Sequence, residues 1–267
     1  MPPRGLEPSG LLLVDKPPGP SSFQVIERIR RRTGARTGHA GTLDPFASGL
    51  LLVLSGAATR LAHWLVGLDK RYVTEVDLAA RTSTGDPEGE VVEQHEAPDR
   101  AELERLLAGF EGEVELPIPA ASAVKIGGER AYRRHRRGET PEMPLRRSRI
   151  DSLELLSYDE GVARLDLRVG SGTYVRAIAD ALGGHCRTLR RTEVGPFSVD
   201  EADEDRIIPA ADALPFLPAV TVDAETAVAI AAGRRHADEG VRTLHDGRLV
   251  AVGRVVLPAP ARTGTRS

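Results

Sequence analysis

A single cysteine, Cys186, stands in the 267-residue chain. That excludes an internal disulfide and a cysteine-rich metal centre, and it fits a reducing compartment. Long apolar runs are missing too. Residues 50–68 come nearest, but Arg60 and His63 interrupt them well short of the ~20 apolar residues that a membrane helix needs. The opening Met1-Pro2-Pro3-Arg4 carries no apolar signal-peptide core, so nothing directs export and a cytoplasmic protein is expected. The histidines lack the paired spacing of a zinc site, and no GxxxxGK loop is present. Gly170-Ser171-Gly172 is too short to serve as a phosphate loop. No metal and no cofactor is expected.

What is present is the composition of an ordinary soluble globular protein, 40% hydrophobic and 28% charged. The length suits one large domain and a small one. The formal net charge of −3 hides a strong segregation. Residues 125–149 hold nine Lys/Arg against three Asp/Glu, whereas residues 84–115 hold eleven acids against two arginines. Further arginines cluster at Arg28, Arg30, Arg31, Arg32 and Arg36, and at Arg187, Arg190 and Arg191. Such runs are commonly solvated faces; three clusters around the motifs below point instead to a surface that tracks phosphates.

Hydrophobic periodicity places the elements. Residues 10–15 read as a strand ending in a proline-rich turn. Ser21 or Ser22 caps a helix running to about Arg32, with Gln24 at the capping-box spacing from Ser21. Phe23, Ile26 and Ile29 mark its expected inward stripe. Residues 50–54 form a buried strand, and residues 57–68 an amphipathic helix containing Trp64. Residues 72–79 alternate as a half-buried strand with Val73, Val76 and Leu78 inward, despite one break in phase. Residues 100–110 form a helix with Leu103, Leu106 and Leu107 inward. Residues 149–156 and 162–169 read as strands joined at Asp159-Glu160-Gly161, and residues 175–182 as a helix. Strands mixed with helices and joined by hairpins imply an α+β fold, not a doubly wound one. Residues 205–218, rich in Pro, Ala and Asp, mark a boundary. Beyond it, residues 220–257 offer short strands, a helical stretch and the turn His245-Asp246-Gly247. Residues 259–267 hold too little apolar surface to pack and are expected to be disordered.

The most informative stretch is Gly38-His39-Ala40-Gly41-Thr42-Leu43-Asp44-Pro45-Phe46-Ala47-Ser48-Gly49, which sets one carboxylate in a Gly/Pro-punctuated loop before the apolar run. An aspartate held there beside a histidine is a candidate nucleophile, although Asp-Pro alone is a common turn-initiating pair. Its weight comes from its company. Upstream lies Gly10-Leu11-Leu12-Leu13-Val14-Asp15-Lys16-Pro17-Pro18-Gly19-Pro20-Ser21-Ser22; downstream follow Asp69-Lys70-Arg71-Tyr72, Gly172-Thr173-Tyr174-Val175-Arg176 and Leu189-Arg190-Arg191. In this order and spacing the segments resemble the TruB family, the tRNA pseudouridine-55 synthases, over about residues 10–198. A weaker echo covers about residues 220–257.

The resemblance implies a mixed, mainly antiparallel pseudouridine-synthase sheet domain with flanking helices over residues 9–212, within which residues 125–149 form a basic RNA-gripping insertion. It also implies a short β-rich module over residues 218–258 that resembles the RNA-binding PUA domain. The implied reaction detaches uracil from C1′, turns it and rejoins it through C5, so it needs no redox partner, ATP or metal. The resemblance makes Asp44 the nucleophile. It makes Arg176 the cation that keeps a carboxylate charged inside a closed RNA pocket, and Tyr72 the stacking ring or weak base. Tyr174 and Leu189 pack on the base, and His39 fills the space left by the flipped uridine. Lys16, Lys125 and Arg190 join the substrate-binding set. In a chain with 4% aromatic residues, tyrosines at both motif positions are poor candidates for core filler. The implied partner is the T arm of tRNA, with no membrane and no obligate protein partner, the chain acting as a monomer. Two other readings are a non-catalytic tRNA-binding or RNA-folding protein and a sister synthase acting on another RNA. The first is disfavoured by Asp44, Tyr72 and Arg176 occurring together, the second by the basic insertion. One departure stands out: the family usually has a tyrosine where Ala121 stands. Phe46 and Ser48 replace the commoner Leu and Thr.

Overall fold

The structure is a computed structural model that describes residues 9–139 and 142–257; the disorder expected for residues 259–267 falls outside them. The fold is α+β, with mainly antiparallel sheets. The chain divides into two compact units. One holds the residues up to Asp44, Gly49–Val66 and the chain from Pro196 on; the other holds Pro45–Ser48 and Gly67–Gly195. No helix among the described residues is long and apolar enough to cross a membrane.

In the first unit the strand Ser48–Ser55 lies between Gly10–Lys16 and Thr37–Ala40, antiparallel to both. Residues 50–54 are fully buried, which is why they read as an unbroken apolar run and not as an alternation. Gly10–Lys16 pairs on its other edge with Asp203–Pro209, the outermost strand. The helix Ser22–Thr33 starts on the expected capping box: the Gln24 N–H donates to the Ser21 hydroxyl at 3.2 Å, and the Ser21 N–H donates to the Gln24 side-chain oxygen at 2.8 Å. It ends at Gly34, whose φ of 68° is the left-handed cap that glycine favours.

The inward stripe of that helix differs from expectation. Ser22, Val25, Ile26 and Ile29 are buried at helical spacing, and Phe23 is 67% exposed. Ser22 takes the inward position because its hydroxyl has a buried backbone partner. Residues 57–68 also differ: they form a 3₁₀ turn, Gly56–Leu61, followed by a single α-turn, Ala62–Val66, which Gly67 follows.

The same unit contains the small C-terminal sheet, Ala219–Thr221, Arg242–His245, Arg248–Val252 and Val255–Val256, with one helix, Ala224–Ala231. Asp246 and Gly247 turn its central hairpin at φ 48° and 70°, the positive angles that a tight two-residue turn demands. Ala227, Ile230, Leu249, Ala251 and Val252 supply its buried apolar residues.

In the second unit the strands follow the order His185–Val194, Lys70–Asp77, Val162–Val169, Leu145–Asp159 and Gly112–Pro117, the last being outermost. Lys70–Asp77 is paired on both edges, and its phase corrects the sequence reading. Lys70, Tyr72, Thr74 and Val76 are buried on one face. Val73 shares the opposite, half-exposed face with Arg71, Glu75 and Asp77, which cannot be buried together without cost. In the helix Arg100–Ala108, Leu103 and Leu107 are buried one turn apart and Leu106 is 41% exposed. The strand His185–Val194 was not expected at all. Only Cys186, Leu189 and Val194 of its residues are apolar, and its backbone pairing carries it.

Lys70 shows what this sheet does to a charge. Its ammonium donates to the Leu68 carbonyl at 2.5 Å and reaches the Ser171 hydroxyl at 3.4 Å. Burial, and then the nearby Arg191 guanidinium, lower its pKa from 10.5 to about 8, against an opposing pull from Asp69. Below pH 8 both folded and unfolded chains carry this proton. Between about 8 and 10.5 the unfolded chain holds more of it, so folding stability gains with rising pH. Urea unfolding from pH 7 to 10.5 is expected to show a Lys70-dependent gain on the order of 3 kcal/mol. Lys70→Met is expected to abolish that difference; identical pH profiles for the two proteins would refute the burial argument.

Candidate active site

Lys16, His39 and Asp44 belong to the first unit. The chain leaves the strand Thr37–Ala40 through Gly41, whose φ of 95° is a backbone that L side chains rarely adopt. Ser22 then pins the loop from the side. Its buried hydroxyl donates to the Leu43 carbonyl at 2.8 Å and accepts the Leu43 N–H at 2.9 Å. One hydroxyl thereby satisfies both main-chain groups of a buried leucine, and the residue before Asp44 is held at two points. Asp44 itself is half-buried. His39, also half-buried, stands opposite Val53 in the strand pair. Lys16 is wholly buried. Its ammonium donates to the Pro17 and Pro20 carbonyls at 2.9 and 2.8 Å, which ties down the proline-rich turn leading into the helix.

Tyr72, Lys125, Tyr174, Arg176, Leu189 and Arg190 belong to the second unit. Tyr72, 8% exposed, pairs with Arg191 across the sheet, and Leu189 pairs with Thr74 two positions along. Residues two apart on a strand share a face, so Tyr72, Leu189 and the buried Arg191 stand on one side. Arg190 pairs with Val73 and faces the other. Tyr174 immediately precedes the helix Val175–Ala181, and its carbonyl accepts the Ala177 N–H at 3.0 Å. The turn before it depends on Gly172, with φ 86°. A Cβ there would sit 3.0 Å from the Arg146 guanidinium carbon.

Arg176 is buried in that helix. Its guanidinium donates to the Thr84 carbonyl at 2.7 Å and the Ala121 carbonyl at 3.0 Å, and it pairs with the Asp86 carboxylate at 3.3 Å. Asp86 is buried as well. Its other oxygen accepts the Thr84 hydroxyl at 2.5 Å and the Glu88 N–H at 3.0 Å. Sequence reasoning missed Asp86, one carboxylate among eleven in an acidic stretch; the signal that singles it out is its Gly85-Asp86-Pro87 turn. The Ala121 departure is also placed. Position 121 meets Arg176 through its carbonyl oxygen, which any residue supplies.

The basic segment is partly neutralised. Arg137 pairs with Glu129 and Glu139, Arg134 with Glu139, Arg147 with Glu113, and Arg149 with Asp69 and Asp151. Among the described residues, Lys125, Arg130, Arg133 and Arg146 have no carboxylate partner, and all four are exposed. Lys125 begins the hairpin of Lys125–Ile126 with Glu129–Arg130. No group of three or more His, Cys, Asp or Glu among the described residues is placed to hold a metal ion.

Residues 29–175 match the model of the TruB family pseudouridylate synthase N-terminal domain. The chain is 38% identical over 262 residues to tRNA pseudouridine synthase B of Rhodopirellula baltica, covering 85% of this chain and 75% of the relative. It is 42% identical over 234 residues to tRNA pseudouridine synthase B of Leifsonia xyli subsp. xyli, covering 81% and 78%. In fold it is similar to a chain from a crystal structure of a Cbf5-Nop10-Gar1 complex, with a TM-score of 0.67 and 24% identity over 95% of this chain and 82% of that one.

The buried pair supplies a test. Asp86→Asn keeps an oxygen for the turn and removes the negative charge facing Arg176. It is expected to lower the unfolding free energy by about 1–3 kcal/mol in urea titrations. An unchanged midpoint would mean that the Asp86 charge does not matter to the guanidinium.

Proposed function

Because the chain belongs to the TruB family of pseudouridylate synthases, we propose that it isomerises uridine-55 in the T arm of tRNA, with Asp44 as the nucleophile. The chain is a pseudouridine-forming isomerase, and relatives that share about two-fifths of its residues over most of their length are tRNA pseudouridine synthases. The observation that carries the assignment of Asp44 is the double hold of Ser22 on Leu43, which fixes the backbone beside the carboxylate while leaving Asp44 half open. A nucleophile needs that combination of fixed backbone and open side chain.

The target uridine is flipped from the stack at a cost of a few kcal/mol, and His39 takes its place. The Asp44 carboxylate adds to C6 of the uracil or captures C1′. The glycosidic bond breaks, the base turns, C5 bonds to C1′, the bond to Asp44 is released, the C5 proton leaves and N1 takes up a proton. Arg176, itself held by Asp86 and two carbonyls, keeps Asp44 anionic. Tyr72, with Leu189 on its face of the sheet, stacks on the base and takes part in proton removal. Tyr174 packs on the base after the Gly172 turn. Lys16, Lys125 and Arg190 complete the substrate-binding set, with Lys16 acting through the proline-rich turn it holds. Residues 9–212 form the catalytic domain, residues 125–149 grip the T arm, and residues 218–258 form a PUA-like module. The protein works as a cytoplasmic monomer without a cofactor.

Unmodified tRNA carrying tritium at uridine C5 tests the assignment, because isomerisation releases that tritium to water. The wild-type chain is expected to release one equivalent per tRNA, and Asp44→Asn at least about a thousandfold more slowly. Equal release by both, or none by the wild type, defeats the proposal. Binding gives a second test. Raising salt from about 50 to about 200 mM is expected to weaken tRNA affinity at least tenfold, because phosphate contacts release counterions. Affinity that ignores salt would count against the basic surface.

A further inference from the structure

Phe23 is the most exposed large apolar side chain among the described residues, at 67%. It is also an anomaly of placement. Ser22, its neighbour, bonds both main-chain groups of Leu43 at 2.8 and 2.9 Å, and Asp44 is the neighbour of Leu43. The ring therefore stands one residue from the clamp on one strand of the chain, and the proposed nucleophile one residue from it on the other. A solitary exposed apolar residue needs no explanation. A ring presented to solvent beside a reactive loop, on a helix whose outer face also carries an arginine without a carboxylate partner among the described residues, calls for one.

The surroundings narrow the occupant. Residues 23, 27, 30 and 31 lie along one side of the helix by their spacing. Glu27 there is neutralised by Arg30 at 2.9 Å. Arg28 and Arg32 turn to Glu204 and Asp205. Among the described residues Arg31 and Arg36 have no carboxylate partner, and both are exposed. The face thus offers one aromatic ring and, about 12 Å along the helix axis, an unneutralised guanidinium. A ring for a base and a cation for a phosphate form the recognition pattern for single-stranded RNA.

We propose that Phe23 is a substrate-contacting residue that stacks on an unpaired nucleotide flanking the target uridine, with Arg31 receiving the phosphate backbone beyond it. The inference rests on the RNA-substrate reading above and adds to it a contact outside the motifs. Phe23 takes no part in the chemistry; it helps hold the loop of RNA while the neighbouring carboxylate acts.

The test compares the full-length wild type with Phe23→Ala, Phe23→Leu and Phe23→Trp, using an unmodified tRNA T-arm stem-loop. Base stacking on a ring predicts binding weaker by between about fivefold and about a hundredfold in Phe23→Ala. The loss is expected in KM with kcat little changed, and thermal unfolding is expected to stay near the wild-type value. Phe23→Leu keeps apolar bulk without a ring face and is expected to behave like alanine. Phe23→Trp is expected to bind at least as tightly as the wild type, with RNA-dependent quenching beyond that of Trp64. Wild-type affinity in Phe23→Ala or Phe23→Leu overturns the proposal, as does an unquenched tryptophan at position 23. The binding comparison does not depend on turnover. A wild-type chain that binds this RNA but releases no tritium contradicts the proposed reaction and leaves the Phe23 result standing on its own.

Discussion

Two hydrogen bonds from one hydroxyl, between Ser22 and the main chain of Leu43, are the constraint on which the first unit's functional loop depends. A loop after a glycine with positive φ has many conformations open to it, and ordering each residue costs roughly 1–2 kcal/mol of backbone entropy. Here the cost is met by a side chain already fixed at the start of a capped helix. That helix is in turn anchored by Val25, Ile26 and Ile29, and Lys16 fastens the turn that leads into it. The order runs from helix cap to serine, from serine to loop, and from loop to carboxylate.

The second unit solves a different problem, that of keeping buried cations charged. Arg176 receives two carbonyls and a carboxylate, so its charge is compensated by groups that cannot drift. Lys70 donates to a carbonyl and a hydroxyl, and burial, followed by the Arg191 guanidinium, lowers its pKa to about 8. The contrast shows why a guanidinium, with five donors in a fixed fork, is the group suited to permanent charge in such a place.

Much of the fold was legible where one physical signal dominated. The Ser21–Gln24 capping box, the fully buried run at residues 50–54 and the Glu160-Gly161 and Asp246-Gly247 turns are local, and local patterns survive folding. Errors arose where two signals competed. Phe23 fits an apolar stripe, but Ser22 has the buried partner. Val73 fits a strand's inner face, but Arg71, Glu75 and Asp77 settle the phase. The strand His185–Val194 lacks alternation because its neighbours supply the pairing. For the site, motif strings pointed to Asp44, Tyr72, Tyr174, Arg176 and Leu189. Strand register alone revealed that Leu189 and Arg191 share the side of Tyr72 while Arg190 does not. Asp86 was hidden among like charges, and its partner is ninety residues away in the chain.

The outermost strands of the two units carry a further consequence. Asp203–Pro209 and Gly112–Pro117 both end in proline, and both bear carboxylates along their length. A strand that closes on a residue without an N–H and carries charged side chains along its edge is a poor template for another chain. Growth by edge-to-edge pairing is thus discouraged at both margins, and an additional polypeptide strand would find neither of them hospitable.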